Sequence, residues 1–400
     1  MHEHLTILGI TLVILGYGYF SKLFAKYNIS GPMIFASVGI LLSSLALGNK
    51  LVDFNTEAVQ IIAEIALIVV LFSDAAALDI NHLKEKWRLP ARLLFVALPI
   101  SIMFTYFTAQ LFFPEESALY LLLLALILAP TDAALGKVVV SDKRIPETIR
   151  NTINVESGLN DGIVFPVLLT VLALIASNGS GSSNGWFMYI VEQIFIGAIA
   201  GAFIGWCGAK LSQATIKKGW IEHQYLNLIP IALAILSFYF AEHFHGNGYI
   251  AAFFAGLFLG NTSKTLRKNV EEFAESEGEL LIMISFLVFG LVFVPFMIPF
   301  LTLKTWIFAL LSLTVLRMLP IVVSFGYFNL DLGTRLFIGW FGPRGIASIL
   351  YILVAVHKLG NVEGHEQIFT VASLTILLSI ILHGLSAQPL AVLYSKKHKA

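Results

Sequence analysis

Apolar runs of membrane-spanning length follow one another along this chain with almost nothing between them. A helix rises about 1.5 Å per residue, so about 20 apolar residues are needed to cross the hydrocarbon core of a bilayer. About 13 stretches meet that demand: residues 5–27, 29–47, 56–78, 92–113, 117–140, 151–176, 186–211, 224–244, 246–263, 280–301, 303–325, 335–359 and 368–394, numbered here as segments 1 to 13. Unbroken runs of this kind exclude a spanning β-barrel, whose strands alternate apolar and polar residues over short lengths. The fold class expected is therefore an all-α polytopic membrane protein. Composition agrees. Hydrophobic residues make up 58% of the chain and charged ones 12%, about half the charge a water-facing surface carries. That balance excludes a soluble enzyme, a disordered chain and a nucleic-acid binder. Lys and Arg equal Asp and Glu at 25 each, so no basic excess points to an anionic partner. The single cysteine, Cys207, allows no intrachain disulfide and no cysteine metal cluster.

The start, Met1-His2-Glu3-His4, lacks the basic region of a signal peptide, and no small-residue cleavage site follows it. Segment 1 is expected to be a retained span. Orientation follows from Lys and Arg. With the N-terminus outside and strict alternation, 20 of the 25 fall in inner loops or near inner ends, among them Lys84, Lys86, Arg88, Lys143, Arg144, Lys217, Lys218 and Lys397. Only Lys50, Lys304 and Lys358 fall outside. The expected C-terminus is then a short cytoplasmic tail. The longest polar stretch, Lys264 to Glu279, is too short for a folded soluble domain. No nucleotide-binding loop is present, so no ATP partner is expected.

Two segments are interrupted in mid-span. Segment 5 carries Leu128-Ala-Pro130-Thr131-Asp132, and segment 12 carries Gly339-Trp-Phe-Gly342-Pro343-Arg344-Gly345. Proline removes a donor and frees a carbonyl one turn back, and glycine weakens the helix further. Lipid cannot satisfy freed backbone groups, so such breaks persist only where they are buried or line a cavity. The two segments are seven apart and cross in opposite directions. Two six-segment halves of inverted topology, linked by segment 7, would give this pattern.

Segment 6 holds the densest polar stretch, Asn154-Val-Glu156-Ser157-Gly-Leu-Asn160-Asp161-Gly. Acids inside a span are expensive and need partners. Helical spacing puts Asn154, Ser157 and Asp161 on one face and Glu156 and Asn160 on a neighbouring one. Ser157 and Asp161 offer oxygen ligands to a hard cation. Glu156 calls for a cation of the protein's own. Two arginines lie within spans, Arg317 and Arg344, and arginine stays charged when buried. Glu156 is assigned to Arg344. Arg317 either takes the same role or stabilises a carbonyl end of a half-helix. Burial favours the protonated form of Asp132 and Asp161, so such groups alternate between a proton and a metal cation. Thr131 adds a hydroxyl and a freed carbonyl, and Asn160 is a further candidate ligand.

These three motifs, Ala-Pro-Thr131-Asp132, Asn-Val-Glu156-Ser157-Gly-Leu-Asn160-Asp161-Gly and Gly342-Pro-Arg344-Gly, resemble the signature of the NhaP-type sodium/proton antiporters, in the Na⁺/H⁺ exchanger branch of the monovalent cation/proton antiporter superfamily. The resemblance covers nearly the whole chain. It implies electroneutral exchange of Na⁺ (or Li⁺) for H⁺ across a cell membrane by alternating access, with no cofactor and no enzymatic reaction. It implies a homodimer in lipid, with a core of about 92–176 and 303–394 moving against a scaffold of about 5–78 and 224–301, joined by a linking helix at about 186–211. It makes Asp161 the essential ion carboxylate, with Asp132, Ser157 and Thr131 nearby and Glu156 paired with Arg344. The electrogenic branch of the superfamily has a second aspartate where this chain has Asn160. A long regulatory tail, present in some members, is not expected.

Two alternatives carry different chemistry. K⁺/H⁺ exchange on the same fold differs in cavity size, which ligand types do not report. An intramembrane aspartyl protease would also use two membrane aspartates, but Asn160 stands where its Gly-x-Gly-Asp motif needs glycine. A channel would need a filter-like loop, and none appears. Other features read as structural. Gly197, Gly201, Gly205 and Gly208 form a small-residue stripe for close helix approach or a dimer contact. Glu64, Asp74 and Glu192 lie in spans, Asp74 as a candidate funnel residue. His243 and His245 read as loop residues or as tuners of pH response.

Overall fold

The computed structural model describes residues 2–45, 57–80, 87–177, 183–222, 225–274, 278–360 and 362–397. Among the described residues every regular element is a helix. Each expected apolar run contains one or more of them. Segments 1 to 4 are His2–Lys26, Gly31–Leu45, Glu57–Ala77 and a helix running from Arg88 to Phe112. Segments 6 to 10 are Glu147–Ala176, Ser183–Lys217, Leu228–His243, Gly248–Thr262 and Glu279–Phe300. Segment 13 is Glu366–Lys397. Six of the described helices are long and apolar enough to cross a membrane unaided. Lys50, Lys84, Lys86 and Lys399, four of the charges used for orientation, lie outside the described residues.

The breaks fall where proline and glycine put them. Segment 5 divides into Ala118–Ile127 and Ala133–Val140, and segment 12 into Leu332–Trp340 and Ile346–Leu359. Three further irregularities were not foreseen. Segment 4 has a π turn at Leu93–Ala97 and segment 10 one at Phe289–Phe293. Each precedes a proline, Pro99 or Pro295, whose ring would strike the carbonyl four residues back, Phe95 or Leu291, inside the π turn. Widening the turn by one residue relieves that clash without ending the span. Segment 11 breaks at Thr314, between Leu303–Leu313 and Val315–Ser324.

Packing divides the chain into two compact units. The first comprises Met1–Gln60, Leu89–Ser157 and Ile282–Ala400; the second comprises Ile61–Arg88 and Gly158–Leu281. Segment 6 contributes its first part to one and its second part to the other. In the first unit, segment 2 and the π turn of segment 10 meet through reciprocal glycines. A Cβ on Gly39 would sit 2.2 Å from the Leu287 carbonyl oxygen, and one on Gly290 would sit 2.0 Å from that of Ala36. An apolar core there joins Leu93, Ile149, Ile321, Phe337 and Phe341 from segments 4, 6, 11 and 12.

In the second unit, segment 9 lies between segments 3 and 7. Gly256 and Gly260 press on the Phe72 and Ala76 carbonyls of segment 3. On the other side Gly197, Gly201 and Gly205 of segment 7 press on Asn247, Ala251 and Ala255, while Gly208 meets Leu233 of segment 8. The glycine stripe is thus used within the chain, as close backbone approach between spans requires. The polar stretch after segment 9 forms the amphipathic helix Lys264–Phe273, capped by Ser263 and burying Leu266, Val270 and Phe273. Its Arg267 ties the end of segment 3 to the end of segment 9, bonding Asp79 and the Gly260 carbonyl.

These contacts set an expectation for stability. Valine at Gly201 would place a Cβ 2.1 Å from the Ala251 carbonyl oxygen. Gly201→Val should cost on the order of 1–3 kcal/mol through overpacking and lower the thermal unfolding midpoint in detergent. Gly16→Ala in segment 1, where nothing lies within 4 Å of the added carbon, should leave the midpoint unchanged.

Candidate cation and proton site

The two broken segments meet at their unwound stretches in the first unit. A helix end leaves donors or acceptors unsatisfied, and here each break supplies what the other lacks. The backbone N–H of Asp132 donates to the Pro343 carbonyl at 2.8 Å. The Asp132 carboxylate accepts from the N–H of Ile346 at 2.9 Å, at the N-terminus of the second half-helix of segment 12, where the helix dipole favours negative charge. The Arg344 guanidinium donates to the Ala129 and Pro130 carbonyls at 3.1 Å, beyond the C-terminus of the first half-helix of segment 5, where positive charge is favoured. Ser348 completes that end by donating to the Ile127 carbonyl at 2.7 Å.

The glycines of the third motif make room for this. A Cβ on Gly345 would lie 1.8 Å from a carboxylate oxygen of Asp132, and one on Gly342 would lie 2.5 Å from the Arg317 guanidinium. Thr131 and Ser157 hydroxyls share a hydrogen bond of 3.1 Å. Thr131, Asp132, Glu156, Ser157, Arg317 and Arg344 are each 3% exposed or less.

One expected pairing is corrected. Glu156 bonds Arg317, not Arg344. The reason lies in the break of segment 12: with its head group on the Ala129 and Pro130 carbonyls, Arg344 is already committed to a helix end. Arg317 enters instead from segment 11, three residues after the break at Thr314, in the space that Gly342 leaves. The two arginines exchange the roles expected of them. Asn154 is a second difference. Its spacing puts it on the Ser157–Asp161 face, but it is exposed, whereas Ser157, Asn160 and Asp161 are buried. It lies two turns before Asp161, near the start of the helix.

Asp161 and Asn160 belong to the second unit, one turn beyond Ser157 on the same helix. Asp161 lines a small cavity whose other walls include Leu71, Phe165, Tyr249 and Phe253. Gly162 allows the Phe253 ring to lie against the helix, 2.4 Å from where a Cβ would be. Pro166 has no N–H for the Gly162 carbonyl, so that oxygen loses its usual intrahelical donor beside Asp161. Among the described residues no group of three or more His, Cys, Asp and Glu has metal-binding geometry. Of the residues sequence reasoning missed, Ser348 and the spacing role of Gly342 and Gly345 carried a signal, because they sit in or beside the third motif. Ser379 and His383 of segment 13 carried none, since a serine and a histidine in an apolar run read as satisfied core residues.

Residues 9–393 match the family model described as sodium/hydrogen exchanger, transmembrane. The chain belongs to the sodium/hydrogen exchanger family. That family is one of membrane transporters. Over 392 residues it is 24% identical to the K(+)/H(+) antiporter NhaP of Alkalimonas amylolytica, covering 96% of this chain and 67% of that protein. It is 26% identical over 352 residues to the Na(+)/H(+) antiporter NhaP of Pseudomonas aeruginosa, covering 81% and 78%. A probable Na(+)/H(+) antiporter of Schizosaccharomyces pombe is 26% identical over 370 residues, and the chain spans 48% of its length. The chain thus spans between 48% and 78% of the length of these three relatives. The sodium proton antiporter MjNhaP1 of Methanocaldococcus jannaschii has the same fold, with a TM-score of 0.75 at 18% identity over 98% of this chain and 99% of that one.

The exchanger's buried ion pair generates a test. Removing one member of a buried pair leaves the other charge uncompensated, at about 3–5 kcal/mol. Glu156→Ala and Arg317→Ala should each lower thermal stability, and the double variant should lose less than the sum of the two. Glu156→Ala combined with Arg344→Ala should lie closer to additivity. Unfolding midpoints of the purified variants decide between the two pairings.

Proposed function

We propose that this chain exchanges Na⁺ (or Li⁺) for H⁺ across a cell membrane by secondary-active, electroneutral antiport. One observation carries the reading. A single helix presents two buried acids five residues apart, Glu156 bonded to an arginine and Asp161 lining a cavity. A buried carboxylate on a cavity is favoured in its neutral form unless a cation replaces the proton. Cation and proton then compete for Asp161, and each loaded state permits the switch between inward- and outward-facing forms. In this reading Asp132, Ser157, Thr131 and Asn160 contribute to the same cation path. Hydroxyl and carboxylate oxygens are what a hard cation takes in place of water.

The reading extends to a homodimer with its N-terminus outside and C-terminus in the cytoplasm. Segments 4–6 and 11–13 form the moving core, and segments 1–3 and 8–10 the scaffold. The positive-inside distribution of Lys and Arg supports the orientation. K⁺/H⁺ exchange is the second reading, favoured by the name of the Alkalimonas amylolytica relative. Proteoliposomes loaded with Na⁺, Li⁺ and K⁺ separately distinguish the two.

Asp161→Asn should abolish exchange in a protein that still folds, because an amide cannot trade a proton for a cation. Asp132→Asn should be nearly as damaging. Pyranine-monitored exchange in proteoliposomes, beside an unchanged thermal midpoint, is the measurement. Robust exchange by a folded Asp161→Asn protein would remove the assignment.

Stoichiometry rests on Asn160, which is neutral at every accessible pH. One exchangeable charge binds either one Na⁺ or one H⁺, and both loaded states carry the same net charge. A membrane potential acts on moved charge at about 2.3 kcal/mol per elementary charge per 100 mV, and a one-for-one cycle moves none. Exchange equilibrium should therefore be unchanged by an imposed valinomycin potential. A shift of that equilibrium with voltage would show that a second proton travels.

A further inference from the structure

The exchange described above makes no use of His383, a titratable side chain on segment 13 that is 1% exposed. Its Nε2 lies 2.9 Å from the carbonyl oxygen of Trp340. Its Nδ1 lies 3.1 Å from both the hydroxyl and the carbonyl of Ser379. The Ser379 hydroxyl in turn accepts from the backbone N–H of Arg344 at 2.7 Å. The ring lies against the Trp340 indole, with centroids 4.8 Å apart. A carbonyl only accepts, so Nε2 donates to Trp340, while Nδ1 has both the hydroxyl and the carbonyl of Ser379 within reach. The Ser379 oxygen then has a lone pair for Arg344. These contacts join Arg344, Ser379, His383 and Trp340 in one chain.

Those two backbone groups are the rims of the segment-12 break. Trp340 ends the first half-helix, and Arg344 stands two residues before Ile346, which opens the second. Ser379 and His383 are four apart and so share one face of segment 13. That face holds both rims at once. Across the break, Ile346 donates to the Asp132 carboxylate and the Arg344 side chain to the carbonyls of segment 5. Whatever sets the width of this break therefore sets where the Asp132 carboxylate rests.

We propose that His383, acting with Ser379, is a positioning residue of the exchanger: a clamp on segment 13 that fixes the rims of the segment-12 break and through them the Asp132 carboxylate. The proposal rests on the reading of Asp132 as part of the cation path. It touches neither cation nor proton directly. Loss of a residue that orients a metal-binding group commonly costs about 10- to 100-fold in affinity.

The test uses His383→Leu, His383→Gln and Ser379→Ala in the full-length protein. Na⁺ KM and maximal rate are measured in proteoliposomes. Hydrogen–deuterium exchange is followed in peptides that contain Arg344. His383→Leu and Ser379→Ala should raise the Na⁺ KM by about 10- to 100-fold and speed amide exchange at Arg344. His383→Gln keeps a donor and an acceptor and should recover most of the KM. The Ser379→Ala/His383→Leu double variant should be no worse than His383→Leu alone, because both break one chain. Ser379→Ala removes only an oxygen, so it reports even if His383→Leu folds poorly. Native KM with native Arg344 protection in Ser379→Ala overturns the clamp, as does a glutamine variant no better than leucine. Asp132→Asn is assayed alongside. If it exchanges normally, the reading of Asp132 fails and the proposal with it. If it is inactive while the clamp variants keep native KM, the clamp alone is wrong.

Discussion

Everything in the first unit depends on how two unwound stretches satisfy each other's backbone. Interrupting a helix inside a membrane frees carbonyls at one end and amides at the other, and hydrocarbon offers them nothing. Here the amide end of segment 12 takes the Asp132 carboxylate, and the carbonyl end of segment 5 takes the Arg344 guanidinium. Each break therefore carries, as a side chain, the charge that the other break's helix end requires. The ionised forms that would be expensive in an apolar interior are stabilised by the very irregularity that created the demand. Neither break is tolerable without the other, so the pair reads as one device rather than as two proline kinks.

That dependence explains the order of residues around Arg344. Gly342 leaves room for the Arg317 guanidinium and Gly345 for the Asp132 carboxylate. Pro343 has no N–H to satisfy, and its carbonyl takes the N–H of Asp132. A side chain at either glycine would push a charge away from its partner, and in this setting a displaced charge has no water to fall back on. The motif is thus a spacing rule for two charges on other segments, with one charge of its own.

Most of this was legible in the amino-acid order, and the parts that were not have physical reasons. Apolar length and proline position located the spans and the breaks of segments 5 and 12, because both follow from local backbone chemistry. The π turns in segments 4 and 10 also follow from Pro99 and Pro295, but a proline in a span announces irregularity without saying which kind. The partner of Glu156 was not legible. Two buried arginines were equally able to neutralise it, and the choice turned on carbonyls freed at Ala129 and Pro130, a three-dimensional demand. His383 was silent for a similar reason. Its partners are a main-chain carbonyl and a serine, and neither has a sequence signature at that distance.

The buried acids divide by what already holds them. Glu156 has a guanidinium, so its charge is neutralised within the protein. The Asp132 carboxylate takes a backbone amide at a helix N-terminus. Asp161 lies on a cavity beside the Gly162 carbonyl that Pro166 deprives of its helical donor. A single helix thus places an arginine-held acid and a cavity-lining acid within five residues of each other.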